Sequence, residues 1–99
     1  MSKVTIKLAP IDIRPGLMSG RYKLEVAQFL LPKYEVQPSF ETELTGQKAA
    51  EEAFDLTNNP SRQSERELSY GRLRSVSVGD IVEVDGVNYF CDSFGWVEI

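Results

Sequence analysis

Asp85-Gly86 stands between two β-branched runs, Ile81-Val82-Glu83-Val84 and Val87-Asn88-Tyr89-Phe90-Cys91, and no other feature of the sequence constrains the fold as tightly. A two-residue connection between twisted antiparallel strands takes the type I′ form, in which both turn residues need positive φ, and Asp-Gly meets that need with little strain. The register follows. Val84 lies opposite Val87 and Val82 opposite Tyr89, these four on one face, with Ile81 opposite Phe90 on the other. Asp92-Ser93-Phe94-Gly95 makes a second tight turn into Trp96-Val97-Glu98-Ile99. Val76 and Val78 alternate with Ser75 and Ser77, so the last third of the chain reads as β throughout.

Period-two alternation recurs near the N-terminus. Val4, Ile6 and Leu8 alternate with Thr5 and Lys7, which predicts a strand over residues 3–9. Pro10, Pro15-Gly16 and Ser19-Gly20 then predict a loop. Tyr22, Leu24 and Val26 alternate again and predict a second strand. Phe29-Leu30-Leu31 is apolar on both faces and fits either a central strand or a turn of buried helix, ended by Pro32. Tyr34-Glu35-Val36 and the run from Phe40 to Leu44 read as extended pieces interrupted at Pro38.

The clearest helix is residues 46–57: Ala50, Ala53, Phe54 and Thr57 fall at i, i+3, i+4 and i+7, and Thr45 is placed to cap the first turn. Asn58-Asn59 suit a left-handed helix end before Pro60. Pro60 in turn suits the start of a short polar helix over about 60–68, capped by Asn59. A later start with Ser64 and Glu67 as a capping box is the alternative. The expected fold is α+β and a single domain over residues 1–99. It has a mainly antiparallel sheet of five to six strands, one clear helix (about 46–57), one short polar helix (about 60–68) and a C-terminal three-strand meander.

Several chemistries are poorly served by this composition. The 99 residues include no histidine and a single cysteine, Cys91. The commonest general base and the commonest metal ligand are missing, and no internal disulfide or cysteine-based zinc site can form. Cys91 lies at a strand end beside Asp92, which works against a reactive thiolate. Glu41 with Glu43, and Glu51 with Asp55, share faces where a hard cation could sit, but no EF-hand-like spacing accompanies them. Neither Gly71-Arg72-Leu73-Arg74-Ser75 nor Val78-Gly79-Asp80 is a phosphate-binding fingerprint, and Asp80 reads as a residue that bonds its own turn. No enzyme, cofactor or metal is therefore expected. No apolar run approaches the ~20 residues of a membrane span, and Met1-Ser2-Lys3-Val4-Thr5 lacks an apolar signal core, so a soluble cytoplasmic protein without a membrane partner is expected.

Charge is uneven along the chain. Residues 1–34 hold six bases and two acids, a local charge of +4, while residues 35–99 hold five bases and thirteen acids, a local charge of −8. A net charge of −4 argues against indiscriminate nucleic-acid binding. Within the acidic part, Arg62, Arg66, Arg72 and Arg74 form a basic segment that Glu65 and Glu67 partly neutralise. Aromatic residues gather toward the C-terminus: Tyr70 first, then Tyr89, Phe90, Phe94 and Trp96. Phe94 falls inside a turn, where an exposed ring could anchor a protein interface or stack on a base.

The run Arg74-Ser75-Val76-Ser77-Val78-Gly79-Asp80-Ile81-Val82, then Asp85-Gly86, then Tyr89-Phe90-Cys91-Asp92-Ser93-Phe94-Gly95-Trp96, resembles the YodL-type module. Trp96 stands where that family usually has phenylalanine. The helix Gln47–Asn59 agrees more loosely, and residues 1–45 show no resemblance. The resemblance implies an accessory protein of a phage, plasmid or conjugative element. It brings no catalytic residues with it, and it fits Cys91, Asp92, Ser93 and Gly95 as turn-specifying residues. The expected function is binding of a host or element-encoded protein, with Arg62, Arg66, Tyr70, Arg72, Arg74, Phe94 and Trp96 as the candidate partner-binding residues. The alternative is nucleic-acid binding through the Arg62–Arg74 segment with aromatic stacking. A homo-oligomer is compatible with either.

Overall fold

The computed structural model describes residues 1–71 and 73–99. In chain order the elements are β1 (Ser2–Leu8), α1 (Arg14–Met18), α2 (Leu24–Leu30), β2 (Glu35–Val36), β3 (Phe40–Thr42), α3 (Gly46–Asn58), α4 (Gln63–Ser69), β4 (Ile81–Val84), β5 (Val87–Asp92) and β6 (Gly95–Glu98). Single 3-10 turns follow α2 (Leu31–Lys33) and precede α4 (Pro60–Arg62). The fold is the α+β arrangement expected, with an antiparallel sheet of six strands.

β1 is the hub of the sheet, whose order is β2-β1-β4-β5-β6, with β3 also on β1. One flank of β1 pairs with β4, Val4 opposite Val84 and Ile6 opposite Val82. The other flank is shared: β2 takes Lys7 and Leu8, and β3 takes Ser2 to Val4. Pro38 has no N–H to give to a ladder and sits at the break between them, as its position in the sequence predicted. Thr5 Oγ1 and Ser39 Oγ hydrogen-bond across that break at 2.6 Å.

The meander has the register read from the sequence. Val84 pairs with Val87, Val82 with Tyr89 and Ile81 with Phe90. Asp85 at φ 49° and Gly86 at φ 87° make the turn, Asp85 being the one non-glycine residue with positive φ among the described residues. β6 returns with Trp96 opposite Cys91 and Gly95 opposite Asp92.

β1 faces one core, and alternation along β4 sends side chains to two. Val4, Ile6, Leu8, Val82 and Val84 face α3, where Ala49, Ala50 and Ala53 are fully buried, and Tyr70 and Val76 close the cluster. Alanines at the contact let the helix lie close on the sheet, so the valines and isoleucine fill the space between them. On the opposite face Ile81 and Phe90 pack under Leu17 of α1, Ala27 of α2, Ala9 and Tyr34.

Four local expectations are corrected. Residues 22–26 do not form a strand, because helix α2 begins at Leu24. Leu24, Ala27 and Leu31 recur at helical spacing and all face the second core, and both flanks of β1 are already occupied. So short a window satisfied both periods, and burial on the sheet decided between them. The loop expected over residues 10–20 contains helix α1, with Pro15 in its first turn, where a missing N–H goes unnoticed, and Leu17 buried. Ser75–Val78 forms no strand. Its backbone is held by the end of α3 instead: Val76 N donates to Thr57 Oγ1 at 3.1 Å, and Asn58 Nδ2 donates to Val76 O at 2.8 Å. That tether also replaces the left-handed helix end expected at Asn58-Asn59, since Asn59 is extended at φ −85°, ψ 112°.

Capping differs in detail. Thr45 occupies the N-cap position of α3 without a side-chain bond. Asn59 caps the turn at Pro60 as expected, its Oδ1 accepting from Ser61 N at 3.0 Å, so the Ser64–Glu67 capping box does not form and α4 starts at Gln63. Among the described residues no helix is long and apolar enough to cross a membrane.

Candidate partner-binding surface

The basic segment does not stand free. Arg62 turns back onto α3, donating from Nη1 to Glu52 at 2.6 Å and Asp55 at 2.8 Å, and from Nη2 to Glu65 at 2.8 Å. Those bonds, the one to Glu52 first, hold the guanidinium pKa above its usual value, and the same contact holds the Glu65 carboxyl below its own. Arg66 clamps backbone: Nη1 donates to Thr57 O and to Ser75 Oγ at 2.9 Å, Nη2 to Leu73 O, and Nε to Gly71 O at 3.3 Å. Its guanidinium also lies 5.8 Å from the centre of the Tyr70 ring. Tyr70 is buried, with its hydroxyl donating to Arg74 O at 2.7 Å.

Arg74 is committed most deeply. Nη1 and Nη2 donate to the two carboxylate oxygens of Asp80, each at 2.9 Å, in the forked geometry that suits guanidinium and carboxylate. Asp80 is fully buried and also accepts from Ala9 N and Ser77 N, each at 2.8 Å. The bond to Ser77 is the own-turn role read from the sequence; the links to Arg74 and Ala9 are additional. Arg72, the fourth candidate arginine, lies outside the described residues.

The two C-terminal aromatics sit on a different surface. Phe94 occupies the tip of the two-residue turn between β5 and β6 with its ring entirely in solvent, 101% exposed. Asp92 Oδ1 accepts from Ser93 N at 2.8 Å and stiffens the turn beneath it. Trp96 is half-buried against the α3 core, and its Nε1 donates to Glu51 Oε2 at 2.7 Å, tying β6 to α3. Glu51, Phe54, Asp92 and Trp96 line a hollow of about 170 Å³ there, smaller than the usual site for a small-molecule ligand. The six candidates among the described residues are thus divided. Arg62, Arg66, Tyr70 and Arg74 hold the α3–α4–β4 junction together, and Phe94 and Trp96 lie at the β5–β6 turn.

Cys91 lines the floor of that hollow. Burial, with Asp80, Glu51 and Asp92 adding to it, pushes its thiol up to about 12, so almost none is thiolate at neutral pH. Among the described residues no group of three or more histidine, cysteine, aspartate or glutamate side chains is placed to hold a metal ion.

The internal role of the arginines has a signal in the sequence. Asp80 follows Gly79, and a carboxylate inside a turn ahead of a buried strand needs a partner. Arg74, six residues upstream across a serine-rich loop, is the nearest cation. Set against protein-family models, curated proteins and solved structures, the chain matches none of them.

Proposed function

We propose that this chain is a non-enzymatic accessory protein of a phage or mobile element that acts in the cytoplasm by binding another protein, with Phe94 as the anchor and Trp96 beside it. The observation that carries the reading is the Phe94 ring, wholly exposed on a short turn that hydrogen bonds and two paired strands hold in place. A large aromatic presented rigidly loses little entropy on docking, which is why such residues dominate interface energetics. The resemblance to YodL-type modules falls on this same meander and supports the mobile-element context.

Nucleic-acid binding is the second reading, and the geometry disfavours it. Arg62, Arg66 and Arg74 are engaged within the chain, which leaves few cations in the segment to neutralise phosphates. The two readings separate in one set of measurements. A photo-reactive phenylalanine analogue placed at position 94 should crosslink a discrete protein in nuclease-treated lysate of the source cells. Labelled single- and double-stranded DNA and RNA should bind weakly at low salt and not at near-physiological salt. Sub-micromolar nucleic-acid binding that persists at ~150 mM salt and is lost in Phe94→Ala would overturn the protein-binding reading.

A further inference from the structure

The geometry points to a second binding site, centred on Arg14, for a protein segment that carries an acidic side chain next to an apolar one. This goes beyond the Phe94 surface and shares no lining residue with it. Three observations converge on it.

The first is an unmatched cation. Arg14 Nε is buried and has no hydrogen-bond partner among the described residues. No ion pair among those residues involves its guanidinium either, whereas Arg62 and Arg74 both have carboxylate partners. Nε itself is closed to solvent, so an incoming carboxylate meets the terminal Nη atoms, which have no hydrogen-bond partner among the described residues, on the wall of two hollows. A charged donor left without an acceptor gains from one that arrives. The nearby acids do not supply one: Asp12 is exposed, and Glu35 lines the hollow beside Arg14 without pairing to it.

The second is apolar surface at the same place. Ile11 is 85% exposed and Met18 49% exposed, and with Pro15 and Arg14 they line an open hollow of about 550 Å³. Ile11 and Arg14 are also shared with an adjoining hollow of about 350 Å³ that Glu35, Gln37 and Arg74 border. Arg14 therefore stands at the junction of an apolar patch and a polar one, an arrangement that matches an apolar side chain with a carboxylate next to it along a chain.

The third is charge complementarity. The first 34 residues hold six of the eleven basic residues and only two of the fifteen acidic ones, and Arg21, Lys23 and Lys33 are exposed. Lys7 is spent on Glu83 at 2.7 Å, and the excess of bases that remains in this part of the chain favours an acidic segment over a basic one. A bidentate guanidinium–carboxylate contact at Arg14, with an apolar neighbour seated on Ile11 and Met18, is the recognition we assign.

The test is an NMR titration of the intact protein, followed at the Arg14 Nε–H and at the Ile11 and Met18 methyl groups. The probes are a short capped peptide of alternating leucine and glutamate, its twin with glutamine for glutamate, and sodium phosphate. The acidic peptide should shift all three sets of signals together and saturably. The glutamine twin should bind about tenfold or more weaker, as loss of one charge-assisted contact dictates. Arg14→Gln should lose that preference and Arg14→Lys should retain part of it, with the amide spectrum of each variant confirming its fold. Equal binding of the two peptides would overturn the inference. So would phosphate saturating Arg14 as tightly as the peptide does, or shifts confined to Phe94 and Trp96. That last result would leave the protein-binding reading standing while removing this one. A dimer of the protein alone that Arg14→Gln dissolves would put a second copy of the chain in the hollow and overturn the assignment of an acidic partner.

Discussion

Arg74 and Asp80 meet in a forked ion pair, with both guanidinium nitrogens 2.9 Å from the two carboxylate oxygens and the carboxylate wholly out of solvent. Around that carboxylate three pieces of chain converge. Ala9 N beyond the end of β1 and Ser77 N in the loop before β4 donate to it, and Arg74 Nη2 also reaches Ala9 O at 3.4 Å. One side chain thus fixes where β1 ends, where β4 begins and how the loop between α4 and β4 folds.

Arg74→Ala leaves a buried charge with its backbone donors but no counter-charge. We expect a loss of about 3 kcal/mol, the low end for a broken buried pair, because a quarter of the Arg74 side chain is open to solvent. Arg74→Lys keeps the charge without the fork and should lose less. Urea unfolding checks both, and an Arg74→Ala midpoint equal to that of the parent protein would contradict the structural role given to the pair. The same variant cannot serve as a test of surface charge, because its binding defects would be those of a destabilised fold.

Gly86→Val isolates the turn. Nothing lies within 4 Å of a Cβ built at Gly86, so the substitution meets no clash, and its cost comes from placing a β-branched residue at φ 87°. A loss of about 1–3 kcal/mol is expected, with Gly86→Asn losing less because asparagine tolerates the left-handed region. An unchanged melting temperature for Gly86→Val would show that the hairpin register is set elsewhere.

The meander was legible in the sequence because its determinants are local. Asp85-Gly86 specifies a turn, the turn specifies a register, and alternation assigns Val82 and Ile81 to opposite faces. Helix α3 was legible for the same reason, its alanines recurring at the period of one face. Residues 22–31 were not, since a handful of apolar residues fits two periods and the choice depended on a sheet whose β1 flanks were already filled by partners from distant parts of the chain. The arginine segment was misleading for a related reason. Charge density shows on the sequence, but whether Arg62 faces Glu52 or solvent depends on α3 lying beside it, which spacing alone does not reveal.

Cys91 should react sluggishly. With its thiol pushed from 9.0 up to about 12, the native protein holds on the order of a thousandfold less thiolate at neutral pH than the unfolded chain. A chromogenic disulfide reagent should therefore modify Cys91 far faster in urea than in buffer, the native rate being limited by opening. Comparable rates in the two conditions would mean that the thiol is neither buried nor suppressed.

Stability should fail on the alkaline side, and three groups set where. Tyr34 donates its hydroxyl to Gly79 O and Tyr70 donates to Arg74 O, each at 2.7 Å, so both must be protonated in the native state. Burial first, and the Asp80 charge second, raise Tyr34 above its ordinary 10.0 and carry Tyr70 to about 12; burial carries Cys91 from 9.0 to about 12, with Asp80 adding to it. Each pKa is higher folded than unfolded, so the unfolded chain releases its protons first as pH rises. The stabilisation is complete below about pH 9 and falls as pH climbs through 10 toward 12, each group contributing a slope of up to about 1.4 kcal/mol per pH unit. Urea midpoints measured from pH 7 to pH 11 should hold level and then drop steeply. Tyr34→Phe removes one titrating group, so its curve should start lower, for want of the bond to Gly79, and descend less steeply. A midpoint that stays level through pH 11 would show that these hydroxyls and the thiol ionise in the folded protein without loss, which the burial and hydrogen bonding of Tyr34 and Tyr70 do not allow.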